Sequence, residues 1–194
     1  MTLGQIFFKY RSYTPLPFII PLLLFARPTI TTLIIGGLLV AIGESFRFWG
    51  VSYAGSETRT TDKVGGTYLI TQGPFAHVRN PLYLGNIFMY FGVSVMANSL
   101  FPFLQVISLV YFTFQYYYII LEEEKFLREK FREKYDDYFK KVGRFIPKLP
   151  AYTKSHQSGL KQNIKAAYES EKRTFQAVFI SIIMIVVIFF LINQ

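Results

Sequence analysis

The chain has no cysteine, two histidines (His77 and His156) and a single tryptophan, Trp49, among 194 residues. Without cysteine there can be no disulfide, no thiolate metal site and no cysteine nucleophile. Two histidines are too few for a histidine-rich metal centre, so no metal site is expected. Charge is scarce at 17% of residues, and acids are scarcer than bases: 12 Asp and Glu against 21 Lys and Arg, a formal net charge of +9. There is no phosphate-cradling glycine loop, no Ser-His-Asp arrangement and no internal repeat. A basic start, an apolar centre and a small-residue cleavage site do not follow in order at the N-terminus, so the first apolar segment does not read as a cleavable signal peptide.

What the chain has in excess is apolar surface. Hydrophobic residues make up 52% and aromatics 19%, with 21 Phe and 14 Tyr. That composition is too apolar for an ordinary soluble domain and reads as an integral membrane protein. Five apolar stretches stand out, Thr14–Ala26, Thr29–Ser45, Pro81–Ala97, Leu100–Leu121 and Phe175–Ile192, each short of charge as a membrane segment must be. The first is short and holds Pro15, Pro17 and Pro21, so it is expected to be tilted, kinked or re-entrant. Arg27-Pro28 and Asn98-Ser99 read as tight hairpins. The expected fold is an all-α, integral membrane helical bundle of about five transmembrane helices, with a cytoplasmic helix after the fourth.

The basic residues are placed unevenly. If five segments cross, 20 of the 21 lysines and arginines fall on one face, and only Arg27 lies opposite. The positive-inside rule then puts the N-terminus, the Gly73–Asn86 loop and the long basic stretch after the fourth segment in the cytoplasm. A charge excess so placed is a topology signal and an attraction to anionic headgroups. It makes the lipid bilayer a partner and needs no nucleic acid. The expected location is the cell (inner) membrane, with the active site facing the cytoplasm.

Polar chemistry concentrates at that face. The run from Gly73 to Asn86 sets His77, Arg79 and Asn80 at the mouth of an apolar segment, where polar groups are costly and mark a site by default. Asn80 can cap the third membrane helix, and Pro81 suits its first turn. The free amides of that helix start favour an anion. Gly85 allows a close approach, and Gly65, Gly66 and Gly73 allow sharp loop turns. Tyr116-Tyr117-Tyr118 read as an interfacial girdle. Glu122, Glu123 and Glu124 point around their helix and cannot share one partner. A helix over Glu122–Lys141 follows, with Phe126, Leu127, Phe131, Tyr135, Tyr138, Phe139 and Val142 at helical spacing. Glu44 and Arg47 share a helix face, and their pairing lowers the cost of burying both. Leu160, Ile164, Ala167, Tyr168 and Phe175 form an apolar stripe read as an interfacial helix before the last span.

These motifs, Gly73-x-Phe75-x-x-x-Arg79-Asn80-Pro81-x-Tyr83-x-Gly85, then Glu123-Glu124-x-x-Leu127-x-x-x-Phe131, Tyr135-x-x-Tyr138 and Val142-x-Arg144-x-Ile146-Pro147, resemble the isoprenylcysteine carboxyl methyltransferase family. That family belongs with the phospholipid N-methyltransferases in a wider superfamily of membrane methyltransferases. The likeness covers roughly residues 45–148. It implies a bundle that binds S-adenosylmethionine at its cytoplasmic face, with a lateral opening for a lipidic or small apolar acceptor. Carried over, it nominates Gly73, Arg79, Asn80, Pro81, Tyr83, Gly85, Glu123 and Glu124 for the cofactor pocket. Glu123 or Glu124 would hold the cofactor's ammonium, and Arg79 with the helix start its carboxylate. No catalytic residue is fixed; Glu123, Glu124, His77 and Arg144 are candidates. Carboxylate acceptors need no general base, whereas an amine or thiol would. Asn80 stands where the carboxyl methyltransferases have histidine, which bears on the acceptor more than on the cofactor. Residues 1–150 are thus read as a methyltransferase core, 151–174 as a cytoplasmic linker and interfacial helix, and 175–194 as a C-terminal transmembrane helix. The proposed pocket lies wholly before Pro150. Two alternatives remain open: a sterol-type membrane reductase using NADPH, and a non-catalytic membrane scaffold or lipid-binding protein.

Overall fold

A computed structural model describes residues 1–55, 68–154 and 161–193; His156, Leu160, Gly65 and Gly66 lie outside them. The helices are α1 (Leu3–Tyr10), α2 (Leu16–Leu24), α3 (Ile30–Ala54), α4 (Pro81–Ala97), α5 (Phe103–Phe131), α6 (Glu133–Lys141) and α7 (Ile164–Ile192), with a 3₁₀ turn at Gly73–Ala76. Among the described residues there is no strand, and Val78 and Gly143 make an isolated parallel bridge. The all-α bundle expected from the sequence is the fold observed. Three helices, α3, α5 and α7, are long and apolar enough to cross a membrane, and α4 is a shorter apolar helix of 17 residues.

The proline-rich first segment does not cross alone. α2 has nine residues, which at about 1.5 Å per residue reach about 13 Å, against a hydrocarbon core of about 30 Å. Pro15, which has no amide proton, stops α1 from continuing as one helix. The two short helices instead follow one another along the bundle. Gly4 on α1 packs against Tyr118 and Glu122 at one end of α5. At the other end Ser99 Oγ donates to Leu22 O over 2.5 Å, and the Arg27 amide donates to Ala97 O over 2.9 Å.

α3 and α4 are the tightest pair. Gly36 and Gly43 on α3 meet Gly92 and Gly85 on α4, and a Cβ built on any of the four would lie within 3 Å of the facing backbone. Small residues at such a seam let backbones approach and replace hydrophobic drive with packing. Three apolar clusters then stack along the bundle. Leu22, Val40, Met96, Leu104 and Ile185 fill the end opposite the basic face. Phe8, Ile87, Phe112, Tyr116, Ile119 and Ile120 fill the middle, and Leu69, Tyr135, Tyr138 and Val142 the basic end.

Three expectations change. The helix after the fourth segment is not continuous to Lys141: it breaks at Arg132, whose φ is 47°, and α6 starts anew. Leu127, Phe131, Tyr135 and Tyr138, from both sides of the break, pack together with Leu69 and Val142. Tyr116 is not in an interfacial girdle; it is buried at 1% exposure and stacks on Tyr83 with centroids 4.9 Å apart. Residues 164–192 form one unbroken helix, so the amphipathic stretch and the last span share an axis and bury Ala167 and Glu171 inside the bundle.

Candidate functional site

Three chain segments meet at the basic end because one arginine ties them. Arg79 leaves the 3₁₀ turn just before α4. Its Nη2 and Nε donate to Glu124 Oε1 at 2.8 and 3.2 Å, and its Nη1 donates to Phe139 O at 2.8 Å and Val142 O at 2.5 Å. The guanidinium also lies 4.2 Å over the Phe139 ring. Arg144 comes to the same carboxylate from the other side, with Nη2 to Glu124 Oε2 at 2.5 Å. That hydrogen bond is the main reason the Arg144 pKa is raised. Glu124 is thus held between two guanidiniums, a planar fork on each side.

The neighbouring carboxylates diverge, as adjacent positions on a helix must. Glu122 accepts from Thr2 Oγ1 over 2.6 Å, and Glu123 accepts from the Tyr83 hydroxyl over 2.5 Å. Asn80 does occupy the N-cap position of α4, but its side chain makes no cap; Nδ2 donates to Arg144 O over 3.1 Å instead. His77 Nδ1 lies 3.0 Å from Lys148 O and its ring is near Trp49. Tyr138 donates its hydroxyl to Phe75 O over 2.7 Å, and burial holds its phenol well above the ordinary range, so it remains a donor.

One large cavity, about 750 Å³, runs from this end into the bundle. Of the nominated residues, Arg79, Asn80, Pro81, Tyr83, Glu123 and Glu124 line it, whereas Gly73, Gly85, His77 and Arg144 are not among its lining residues. Gly73 has φ 59°, and a Cβ there would strike the Tyr53 ring at 2.4 Å. Gly85 admits the α3 backbone, with Gly43 O 2.6 Å from its would-be Cβ. The cavity's basic end is walled by Leu69, Phe75, Tyr135 and Tyr138, and its far end by Leu16, Ile19, Leu22, Leu104 and Val178. With Arg79, Asn80, Glu123 and Glu124 among those aromatics at the basic end and aliphatic side chains at the other, it suits a charged ligand that meets an apolar one.

Several lining residues escape a reading of motifs. Arg47 donates Nη2 to Glu171 Oε2 on α7 over 2.6 Å and Nη1 to Asn86 Oδ1, and its Nε also pairs with Glu44, the expected partner, at 3.8 Å. Asn86 Nδ2 donates to the Tyr116 hydroxyl over 3.1 Å, and Tyr116 stacks on Tyr83. A polar chain therefore runs from Glu171 through Arg47 and Asn86 to the Tyr116 hydroxyl, and the Tyr116 ring stacks beside the Tyr83–Glu123 pair. α7 adds Thr174, Ala177, Val178 and Ser181 to the wall, so the cavity is not confined to residues before Pro150. Arg11 and Ser12, at the break between α1 and α2, also border it. The available signal for Glu171 was its spacing: Ala167, Glu171, Thr174 and Val178 fall on one helical face.

The family model described as phospholipid methyltransferase matches residues 31–134. Among proteins of known role, the chain is similar to the cobalt-zinc-cadmium resistance protein CzcN of Cupriavidus metallidurans, 29% identical over 137 residues, 68% of this chain and 59% of that protein. It is also similar to the nickel-cobalt-cadmium resistance protein NccN of Alcaligenes xylosoxydans xylosoxydans, 29% identical over 120 residues, 62% of this chain and 52% of that protein. The chain thus spans little more than half the length of these relatives. No solved structure matches it.

Proposed function

This chain belongs to the phospholipid methyltransferase family, and from that premise we propose that it transfers a methyl group from S-adenosylmethionine to a lipidic or apolar acceptor at the cytoplasmic face of the cell (inner) membrane. The family supports a membrane methyltransferase in general, and its members generally use this cofactor. The metal resistance named for the two relatives describes those proteins; only the chemistry of methyl transfer is carried here.

The observation that carries the reading is the Tyr83–Glu123 pair on the wall of a single 750 Å³ cavity that is aromatic at one end and aliphatic at the other. The cofactor presents an ammonium, a carboxylate, a sulfonium and a flat adenine. A carboxylate, guanidiniums and tyrosine faces are the donor set such a group requires, and the residues present fit it. When bound, it supplies an electrophilic methyl group. Asn80, Pro81 and Tyr83 at the start of α4 and Glu123 on α5 would contact it. Arg79, Glu124 and Arg144 would frame the pocket, since their charges are spent on one another. Gly73 and Gly85 would act through the backbone, one letting the loop turn against Tyr53 and the other letting α4 close on α3.

In-line displacement depends on alignment and on keeping water out. Stacked Tyr83 and Tyr116 and the aliphatic end would provide both. For a carboxylate acceptor nothing more is needed. An amine or thiol acceptor would also need a group to take its proton.

Calorimetric titration of the detergent-purified protein with S-adenosylhomocysteine tests the reading, with NADPH run in parallel. Binding of the first and not the second is expected. Binding of NADPH alone, or of neither by a folded sample, overturns it.

A further inference from the structure

The cofactor's amino-acid end carries a carboxylate and an ammonium a few ångströms apart. Its site therefore needs a cation and an anion side by side on one wall. Arginines 11, 47, 79 and 173 border the cavity. Arg79 directs its donors to Glu124, Phe139 O and Val142 O. Arg47 is held by Glu171 and Asn86 on the α3–α7 side. Arg173 is exposed on α7 next to that pair. Glu123 lies on α5, and α1 packs on α5.

The N-terminal segment brings Arg11 to that side. Pro15 ends the helical run, Thr14 Oγ1 donates to Arg11 O over 3.1 Å, and the chain turns before α2. The Arg11 guanidinium folds inward over Phe8, 4.0 Å from the ring centre, and Phe8 is itself buried at 5% exposure. There Arg11 stands within charge–charge range of both Glu123 and Tyr83. Position 11 precedes the stretch the family model matches, residues 31–134, so the family motif does not nominate it.

We propose that Arg11 and Glu123 form a clamp for the amino-acid end of the cofactor, Arg11 taking the carboxylate and Glu123 the ammonium. The inference rests on the methyltransferase reading and moves the carboxylate from Arg79 to the break between α1 and α2. An α-amino acid placed between a guanidinium and a carboxylate that border the same cavity gains a charge-assisted hydrogen bond at each end. The N-terminal helices thereby become part of the site, a specificity element for a cofactor with an intact amino-acid tail.

The test compares two adenosine thioethers on the full chain: S-adenosylhomocysteine, and 5′-methylthioadenosine, which lacks the amino-acid end. Arg11→Gln should weaken the first by tenfold or more and leave the second unchanged, while Arg11→Lys restores part of the loss. A thermal melt of each variant confirms that it is folded. Equal weakening of both ligands, or no change in either, overturns the clamp while wild-type binding still upholds the methyltransferase. Wild-type protein that binds neither ligand overturns both.

Discussion

An arginine beside a helix start invites assignment to an anionic ligand, yet position 79 serves the protein itself. Its side chain is 8% exposed and its partner Glu124 10%, so the pair is held out of water. Removing one member of such a pair leaves a buried charge, at a cost of about 3–5 kcal/mol. We expect Arg79→Ala to lower the melting temperature in detergent sharply. Arg79→Lys should rescue little, because one ammonium cannot reach Glu124, Phe139 O and Val142 O as a fork does. A melt unchanged in both variants would show that the three segments do not depend on this tie. Asp137 poses the same question at the surface. Hydrogen bonds from Lys141, Tyr152 and Lys154 hold its carboxyl well below the usual range, and Tyr152 is pushed up to about 12 in turn, chiefly by burial. A depressed folded-state pKa gives stability present above the unfolded value, about 3.9, and lost as pH falls. The advantage of wild type over Asp137→Asn should accordingly be full at neutral pH, begin to shrink near pH 4 and go on shrinking as the pH falls toward the depressed folded value. Melts across that range would check it.

At the scale of elements, the α3–α4 seam depends on glycines seven apart. A spacing of seven is close to two helical turns, so Gly36, Gly43 and Gly50 share a face. A Cβ on Gly43 would lie 2.6 Å from Gly85 O, whereas one on Gly37 meets nothing within 4 Å. Gly43→Ala should therefore destabilise the bundle strongly. Gly37→Ala should be neutral or stabilising by up to about 1 kcal/mol, the ordinary preference of a helix for alanine. Thermal unfolding of the two variants side by side separates seam from propensity. α7 is held differently, by a charged pair. Glu171→Ala should cost more with Arg47 present than in an Arg47→Met background, with a coupling of about 1–3 kcal/mol measured by a double-mutant cycle. Removing everything after Pro150 takes away Glu171 and one cavity wall together, and should lower the melting temperature by more than Glu171→Ala does.

For the whole molecule, the termini of the helices fix which ends lie together. The ends near Thr2, Arg79, Glu124 and Asn163 lie on one side, and Arg27, Ala97 and Ser99 on the other. The cysteine-free sequence makes this testable without background. Arg27→Cys and Lys148→Cys, both at exposed positions, should react with a membrane-impermeant thiol reagent from opposite sides in sealed vesicles. Lys148→Cys is expected to react from the cytoplasmic side. Labelling of both from one side would contradict the five-pass path.

Much of this architecture is present in the sequence because a bilayer reads composition directly. Apolar run length, charge-free segments, the prolines that break the first crossing and the one-sided lysines and arginines each act locally, with no need to know a partner. The motif from Gly73 to Gly85 and the acidic run at Glu122–Glu124 were likewise visible as chemistry out of place in an apolar chain. What the sequence left open was pairing. Three adjacent carboxylates look alike in a string, and only packing sends Glu122 to Thr2, Glu123 to Tyr83 and Glu124 to two arginines. Glu44 does pair with Arg47 three residues away, at 3.8 Å, but the shorter bond, to Glu171 124 residues on, could not be read from spacing. The break at Arg132 and the burial of Tyr116 were decided in the same way. Local sequence determines which segments become helices. The contacts between them depend on how helical faces meet, and that is a property of the assembled bundle alone.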